Sequence, residues 1–431
     1  MSRFDCALTS AISARRHDAN TVIYQLSWFA LLVLFLPTSL WAQQQSTARE
    51  LYAQAASSIQ QRDFSGAIKP LHELVAKHPE FELRGTAVVY LAEAYIRVQQ
   101  PAKGYSLLHS LLQTTAVESK TNSNPIELKP ELRKRSLQLM QYAARASAIE
   151  AERNQDLQTA IQWANASYEL TSDGEQKASF DELKRLALKF ILASATSAEQ
   201  TNLQAQEVVK IAPILRSELP IFKLTAAEQL NASKKTAEAL KLYDVLAASG
   251  NPESANRAQA SPTWMSIVAL RRAGILLKRK EYAASRQICE VAKQRFPSSR
   301  EFHEFNFILA RIGIAQIEFE EALRVLAEVQ ETGQGGEQSK AAFMVGEVYF
   351  LKRSYPKAIE SYDLVLASKK SSWTDDARLQ RAKCLELSGD WAGALQAYEA
   401  IREKSDPTSV QLAEKRIAVL NQALSERALI R

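Results

Sequence analysis

Two stretches near the C-terminus set the frame: AAFMVGEVYFLKRSYPKAIESYDLVLA, residues 341–367, and DARLQRAKCLELSGDWAGALQAYEAI, residues 376–401. Gly346 aligns with Ala382, Tyr355 with Trp391, Ala358 with Ala394 and Tyr362 with Tyr398, each pair 36 residues apart. From the first small residue of each stretch the aromatic lies nine positions on, the alanine twelve and the tyrosine sixteen. The spacing predicts two antiparallel helices per unit that cross closely at Gly or Ala, since a larger side chain would hold the backbones apart. The aromatic packs over the crossing and fixes its angle.

The same offsets continue upstream. Ala273, Tyr282, Ser285 and Ala292 form one unit closed by Pro297, and Ala310, Phe319, Ala322 and Leu326 the next. The reference positions 273, 310, 346 and 382 are spaced 37, 36 and 36. At the other end, Ala55, Phe64, Ala67, Leu71 and Pro79 make a unit, with Ala92, Tyr95, Gly104 and Leu108 beside it. Between them Ala148 with Ala160, Ala193 with Ala205, and Ala227 with Ala239 and Tyr243 fit the pattern more loosely. Polar inserts at residues 114–130 and 247–261 read as loops. Ser261-Pro262 and Asp406-Pro407 each place a capping side chain before Pro at the first helical position. Residues 408–430 read as a last helix that seals the exposed end of the array, as a repeat protein requires.

On these residues the chain resembles the tetratricopeptide-repeat superfamily from about Ala48 to Leu429. The resemblance implies an all-α fold, a right-handed α-solenoid (superhelix) of about nine tetratricopeptide-like helix pairs. It divides the chain into a leader at 1–42, an N-terminal repeat pair at 43–116, degenerate helical repeats at 117–261, and four C-terminal units with a capping helix at 262–431. The last third, with its closing SVQLAEKRI, also resembles periplasmic repeat proteins of the Tol-Pal coordinator and outer-membrane assembly type. The likeness implies binding of other envelope proteins, as a peptide or helix in a concave groove lined by the first helix of each pair. Groove positions lie three before, one after and four after the small residue. Carried over, they name Phe307, Arg311 and Ile314; Phe343, Glu347 and Phe350; and Leu379, Lys383 and Glu386. Phe307, Phe343 and Phe350 would then form an apolar strip rimmed by Arg311, Glu347 and Lys383. The competing reading packs those aromatics between adjacent repeats.

Composition agrees with helix. The 431 residues hold only 13 Gly and 13 Pro, where average usage would give roughly thirty Gly, so a turn-rich sheet fold is excluded. The net charge of +6 shows no stripe or tail of the kind nucleic-acid binders concentrate, and no nucleic-acid partner is expected. Residues 22–42, VIYQLSWFALLVLFLPTSLWA, follow Arg3, Arg15 and Arg16 and end at a small residue before QQQST. This is the plan of a secretory signal peptide with cleavage near Ala42. The alternative is an uncleaved N-terminal membrane anchor. Either puts the repeats outside the cytoplasm, and the mature chain is not expected to insert in a membrane.

No catalytic, metal or cofactor site is expected. Neither His72-Glu73 nor His303-Glu304 has a second His four positions after the first, as a helical zinc site needs. Gly333, Gly335 and Gly336 lack the directly following Lys of a phosphate loop. The carboxylates of Glu318, Glu320, Glu321, Asp375 and Asp376 suit solvated helix faces and helix starts. Cys289 and Cys384 read as buried thiols too far apart in a solenoid to pair. The resulting expectation is an exported, non-catalytic interaction scaffold of the bacterial envelope. The alternative is the helical scaffold of a peptidoglycan-processing enzyme or complex.

Overall fold

The computed structural model describes residues 44–118, 128–172, 174–249, 263–368, 371–404 and 406–429. The leader, Cys6, the Ser261-Pro262 pair and most of the two polar inserts lie outside them. Contacts divide the chain into two compact units, up to Ala187 and from Leu188 onward. In the first unit lie α1 (44–60), α2 (Phe64–Lys77), α3 (Arg84–Arg97), α4 (Pro101–Glu118), α5 (Pro130–Arg153) and α6 (Leu157–Glu169). The boundary falls within α7 (Gln176–Ala193). The second unit holds α8 (Ala198–Ile211), a 3-10 turn (Pro213–Glu218), α9 (Leu219–Ala232), α10 (Thr236–Ser249), α11 (Thr263–Lys278) and α12 (Tyr282–Arg295). It continues with α13 (Phe302–Ala315), α14 (Phe319–Thr332), α15 (Gly336–Leu351), α16 (Tyr355–Ala367), α17 (Thr374–Leu387), α18 (Trp391–Lys404) and α19 (Pro407–Leu429). No strand occurs among the described residues, and the fold is all-α, built within each unit from consecutive helix pairs. Insert 114–130 begins later than its composition suggests, because α4 continues to Glu118.

One backbone feature marks the pairs. Arg62, Gln99, Gln155, Lys234, Lys280, Ile317, Arg353 and Gly389 all have positive φ. Each stands seven residues after Ala55, Ala92, Ala148, Ala227, Ala273, Ala310, Gly346 and Ala382 respectively. At each turn the N–H one residue further on reaches back five residues to a carbonyl of the first helix, at 2.7–3.0 Å. This is the left-handed C-terminal cap that satisfies the last carbonyls of a helix while reversing the chain. The two looser units at Ala148 and Ala227 carry it as fully as the four C-terminal ones. The turn between α7 and α8 does not: it spans four residues, 194–197, instead of three. Ala193, expected at a crossing, is the exposed last residue of α7, and the buried alanine of that helix is Ala187.

The close crossings are direct. The Ser285 hydroxyl donates to the Ala273 carbonyl at 2.8 Å, twelve residues earlier. A Cβ placed on Gly104 would stand 2.7 Å from the Ala92 carbonyl oxygen. A Cβ on Gly346 would meet the Tyr362 ring at 2.5 Å. Second helices start on repeated caps: Asp63, Asp156 and Asp390 accept from the N–H of Gly66, Thr159 and Gly393 at 2.8, 3.1 and 2.9 Å. Asp406 likewise accepts from Thr408 and Ser409 at 2.9 and 3.2 Å at the head of α19, where Asp-Pro predicts a start. Cys289 and Cys384 are free and buried, and burial pushes their thiols up to about 12 and about 11. No helix among the described residues is long and apolar enough to cross a membrane.

Two stability changes follow from these geometries. Gly346→Ala gains about 1 kcal/mol of helix propensity, but Tyr362 is fully buried against Phe343 and cannot swing away. Overpacking of this kind costs about 1–3 kcal/mol, so chemical denaturation should show a net loss. Ile317 is a β-branched residue at φ 64 with 73% of its surface exposed, so it carries backbone strain and buries little. Ile317→Gly should raise stability by about 0.5–1 kcal/mol, the relief of left-handed strain less the greater freedom of the unfolded glycine.

Candidate interaction face on the first helices of the C-terminal repeats

The first helices α13, α15 and α17 present the groove positions. Their register follows from the crossings, which turn Ala310, Gly346 and Ala382 toward α14, α16 and α18. Residues one and four places on then lie on the flank of the same helices. Phe307 and Phe343 do not offer their rings to solvent: they are 2% and 6% exposed. Phe307 sits in the core shared by α11 to α15, beneath Lys340 Nζ at 3.8 Å from its centroid. Phe343 stacks on Trp373 at 5.0 Å and leans on Tyr362 at 5.6 Å. The expected three-ring strip therefore loses two of its rings to packing between repeats, because the position three before the crossing points into the joint with the next pair.

The remaining positions keep free surface. Arg311 and Lys383 are exposed, while Glu347, Phe350, Leu379 and Ile314 are half-buried. Lys383 Nζ stands 4.9 Å from the Phe350 centroid, and Phe350 also meets Tyr355 edge-on at 6.0 Å. Glu386 is occupied. Its carboxylate accepts from the Tyr398 hydroxyl at 3.1 Å and from Arg416 Nε of α19 at 3.1 Å. The closing helix thus uses up the last rung of the face.

Around this face charged side chains find partners in neighbouring helices. Lys340 Nζ reaches both oxygens of Glu304 at 2.9 Å, Arg381 Nε reaches Asp363 at 2.6 Å, Arg271 pairs with Glu228 and Lys352 with Glu320. Arg311, Glu347 and Lys383 make no ion pair among the described residues. Burial holds the Glu347 carboxyl above its ordinary value; the pull of Arg311 opposes this and the charge of Asp376 adds to it.

Glu304, Lys340 and Asp376 form a second row that the groove offsets leave out. They are also 36 residues apart, so the period that gave the first row could have found it. The partner-consuming roles of Trp373, Tyr398 and Arg416 carry no such signal, since each depends on which neighbouring helix the side chain meets.

The raised carboxyl has a pH signature. A folded-state pKa above the unfolded one means the folded state binds the extra proton, so stability falls as pH rises through the window just above the usual Glu range. Glu347→Gln should therefore be more stable than the parent at pH 7, with the difference closing as pH is lowered toward about 4. Urea denaturation at several pH values measures it, and an unchanged gap would exclude the desolvated carboxyl as its source.

Comparison with known proteins agrees with the repeat geometry. The family model described as the tetratricopeptide repeat protein 21 ARM repeat matches residues 216–358, which takes in α9 to α15 and the start of α16. A tetratricopeptide-repeat family model matches residues 376–409, covering α17 and α18. No curated protein matches the sequence at a significant level. Similar solved structures include yeast Tom70, at 11% identity and TM-score 0.37 with 88% of this chain and 89% of that one covered. A tetratricopeptide repeat protein from Parabacteroides merdae gives 11%, 0.31, 87% and 99% in the same order. A human IFIT1 dimer with m7Gppp-AAAA gives 14%, 0.38, 90% and 88%. Scores of this size carry no comparison of sites or partners. The spacing of the crossings, the left-handed turns and the two family matches agree, and the chain carries repeats of the tetratricopeptide superfamily, a class of protein-interaction scaffold.

Proposed function

We propose that the chain is a non-catalytic scaffold that holds a partner protein against the first-helix face of α13, α15 and α17. The observation that carries this reading is Glu347, a half-buried carboxylate that makes no ion pair among the described residues, on α15 between the helices that carry Arg311 and Lys383, which make none there either, and one turn from the half-buried Phe350 ring. Desolvating a charge without a partner costs stability, and such a cost persists where the group serves a ligand that the isolated chain lacks. Phe350, Leu379 and Ile314 supply apolar surface; Arg311, Glu347 and Lys383 supply orientation. Few large contacts with a charged rim are the anatomy of an interaction hot spot.

The compartment in this proposal is the space outside a bacterial cytoplasm. It rests on the charged, apolar and small-residue succession of residues 3–42 and on the likeness of the last third to periplasmic repeat proteins of the Tol-Pal coordinator and outer-membrane assembly type. The partner is then another envelope protein, in envelope assembly or cell division.

A photo-crosslinking amino acid at position 350 or 383 of the exported chain should capture one or two envelope proteins in stoichiometric yield. The same group at Val291 or Leu364, exposed on second helices α12 and α16, should not. Phe350→Ala, which leaves both core rings in place, should weaken the captured partner about tenfold or more at unchanged helical content. Capture from the second helices alone would remove the first-helix face from consideration.

A further inference from the structure

The free positions on this face fall into two rows that run across the repeats. One residue after each crossing stand Arg311, Glu347 and Lys383, on α13, α15 and α17. Four residues after stand Leu277, Ile314 and Phe350, on α11, α13 and α15, all half-buried. The rows end where the sequence ends them. Gly274 holds the charged position on α11, and Glu386 holds the apolar position on α17, where Tyr398 and Arg416 engage it.

Each step along a row is one helix spacing, about 8–10 Å for packed helices. Arg311, Glu347 and Lys383 make no ion pair among the described residues, yet Arg311 pulls on the Glu347 carboxyl from the neighbouring first helix. The charge order along the row is plus, minus, plus. The row six before the crossing alternates too, yet its Glu304 and Lys340 are already joined at 2.9 Å. Of these two alternating rows, the row one after the crossing makes no ion pair among the described residues.

A ligand that meets both rows needs two adjacent stripes with a repeat near 10 Å. An extended strand sets its side-chain rows about 180° apart and a polyproline-type strand about 120° apart, so neither lays two rows side by side. An α-helix offers two, because residues seven apart lie on one face and rise about 10.5 Å. We propose that this face is matched to an amphipathic α-helix bearing acid, base and acid at positions i, i+7 and i+14 beside its apolar stripe. The inference rests on the first-helix face being the binding surface and adds the chemistry of what binds there. The acids meet Arg311 and Lys383, and the base meets Glu347. The order reads the same in both directions, so the charges set register and leave polarity to the apolar residues. The rows are offset by one repeat and together cross α11 to α17, roughly 30 Å, the length of about 20 helical residues.

Three synthetic 21-residue amphipathic helices test this, identical in their apolar stripe and carrying Glu-Lys-Glu, Lys-Glu-Lys or Gln-Gln-Gln at the three charged places. Fluorescence anisotropy with the mature chain should show Glu-Lys-Glu binding at least tenfold more tightly than Lys-Glu-Lys, with the gap shrinking in 0.5 M salt. The triple variant Arg311→Glu, Glu347→Lys, Lys383→Glu should reverse the order, and because these positions lie outside the core it should keep its fold by circular dichroism. Equal binding of all three peptides, lost in Phe350→Ala, would overturn the charge pattern and leave the binding face standing. Binding by none of the three would overturn both.

Discussion

Everything in the chain hangs on how closely two helices can cross. At each crossing the backbones meet through Gly or Ala, closely enough that the Ser285 hydroxyl spans the gap to the Ala273 carbonyl and no Cβ fits between Gly346 and Tyr362. To bring the second helix back at that distance, the chain must reverse within three residues. The left-handed residue seven places after the crossing makes this possible, and its i to i−5 hydrogen bond satisfies a carbonyl that would otherwise be stranded. Crossing and turn are thus one constraint, since moving either by a residue would rotate the second helix off its apolar face.

The constraint is strict in geometry and lenient in residue type. Seven of the eight left-handed turn positions are filled by side-chain-bearing residues, Gly389 alone being glycine. The strain at each is small beside the burial that a closed pair secures. For this reason the middle of the chain keeps the pair geometry while its sequence drifts from the pattern. The turn from α7 to α8 is the exception: it is a residue longer and has no left-handed residue.

The repeat also sorts charges. Six before the crossing, Lys340 and Glu304 face each other across the joint and join. One after the crossing, Arg311, Glu347 and Lys383 lie on the flank and make no ion pair among the described residues. Glu347 bears the consequence, losing water on folding without gaining a cation at contact distance. A fold optimised for stability alone would place a neutral residue there. The closing helix shows the contrast, because Arg416 from α19 completes Glu386 and leaves that rung with nothing to offer.

The sequence by itself determined the repeat. Small residues at 36–37-residue intervals, aromatics nine places on and proline after the second helix are local requirements of a close crossing, so they leave a periodic trace that needs no neighbour to be read. It likewise determined the starts at Asp406-Pro407 and the burial of Cys289 and Cys384, which lie in apolar helical runs. Only the tertiary structure decided which groove-register side chains remain at the surface. Phe307 and Phe343 share their offset with half-buried Leu379, and periodicity treats the three alike. Their fate depends on Lys340 and Trp373, which come from the next repeat or the loop beyond it. It also decided that Ala193 ends a helix instead of making a crossing, and that Glu386 is spent while Glu347 is not. A period fixes where a residue stands on its own helix; the neighbouring helices fix what it touches.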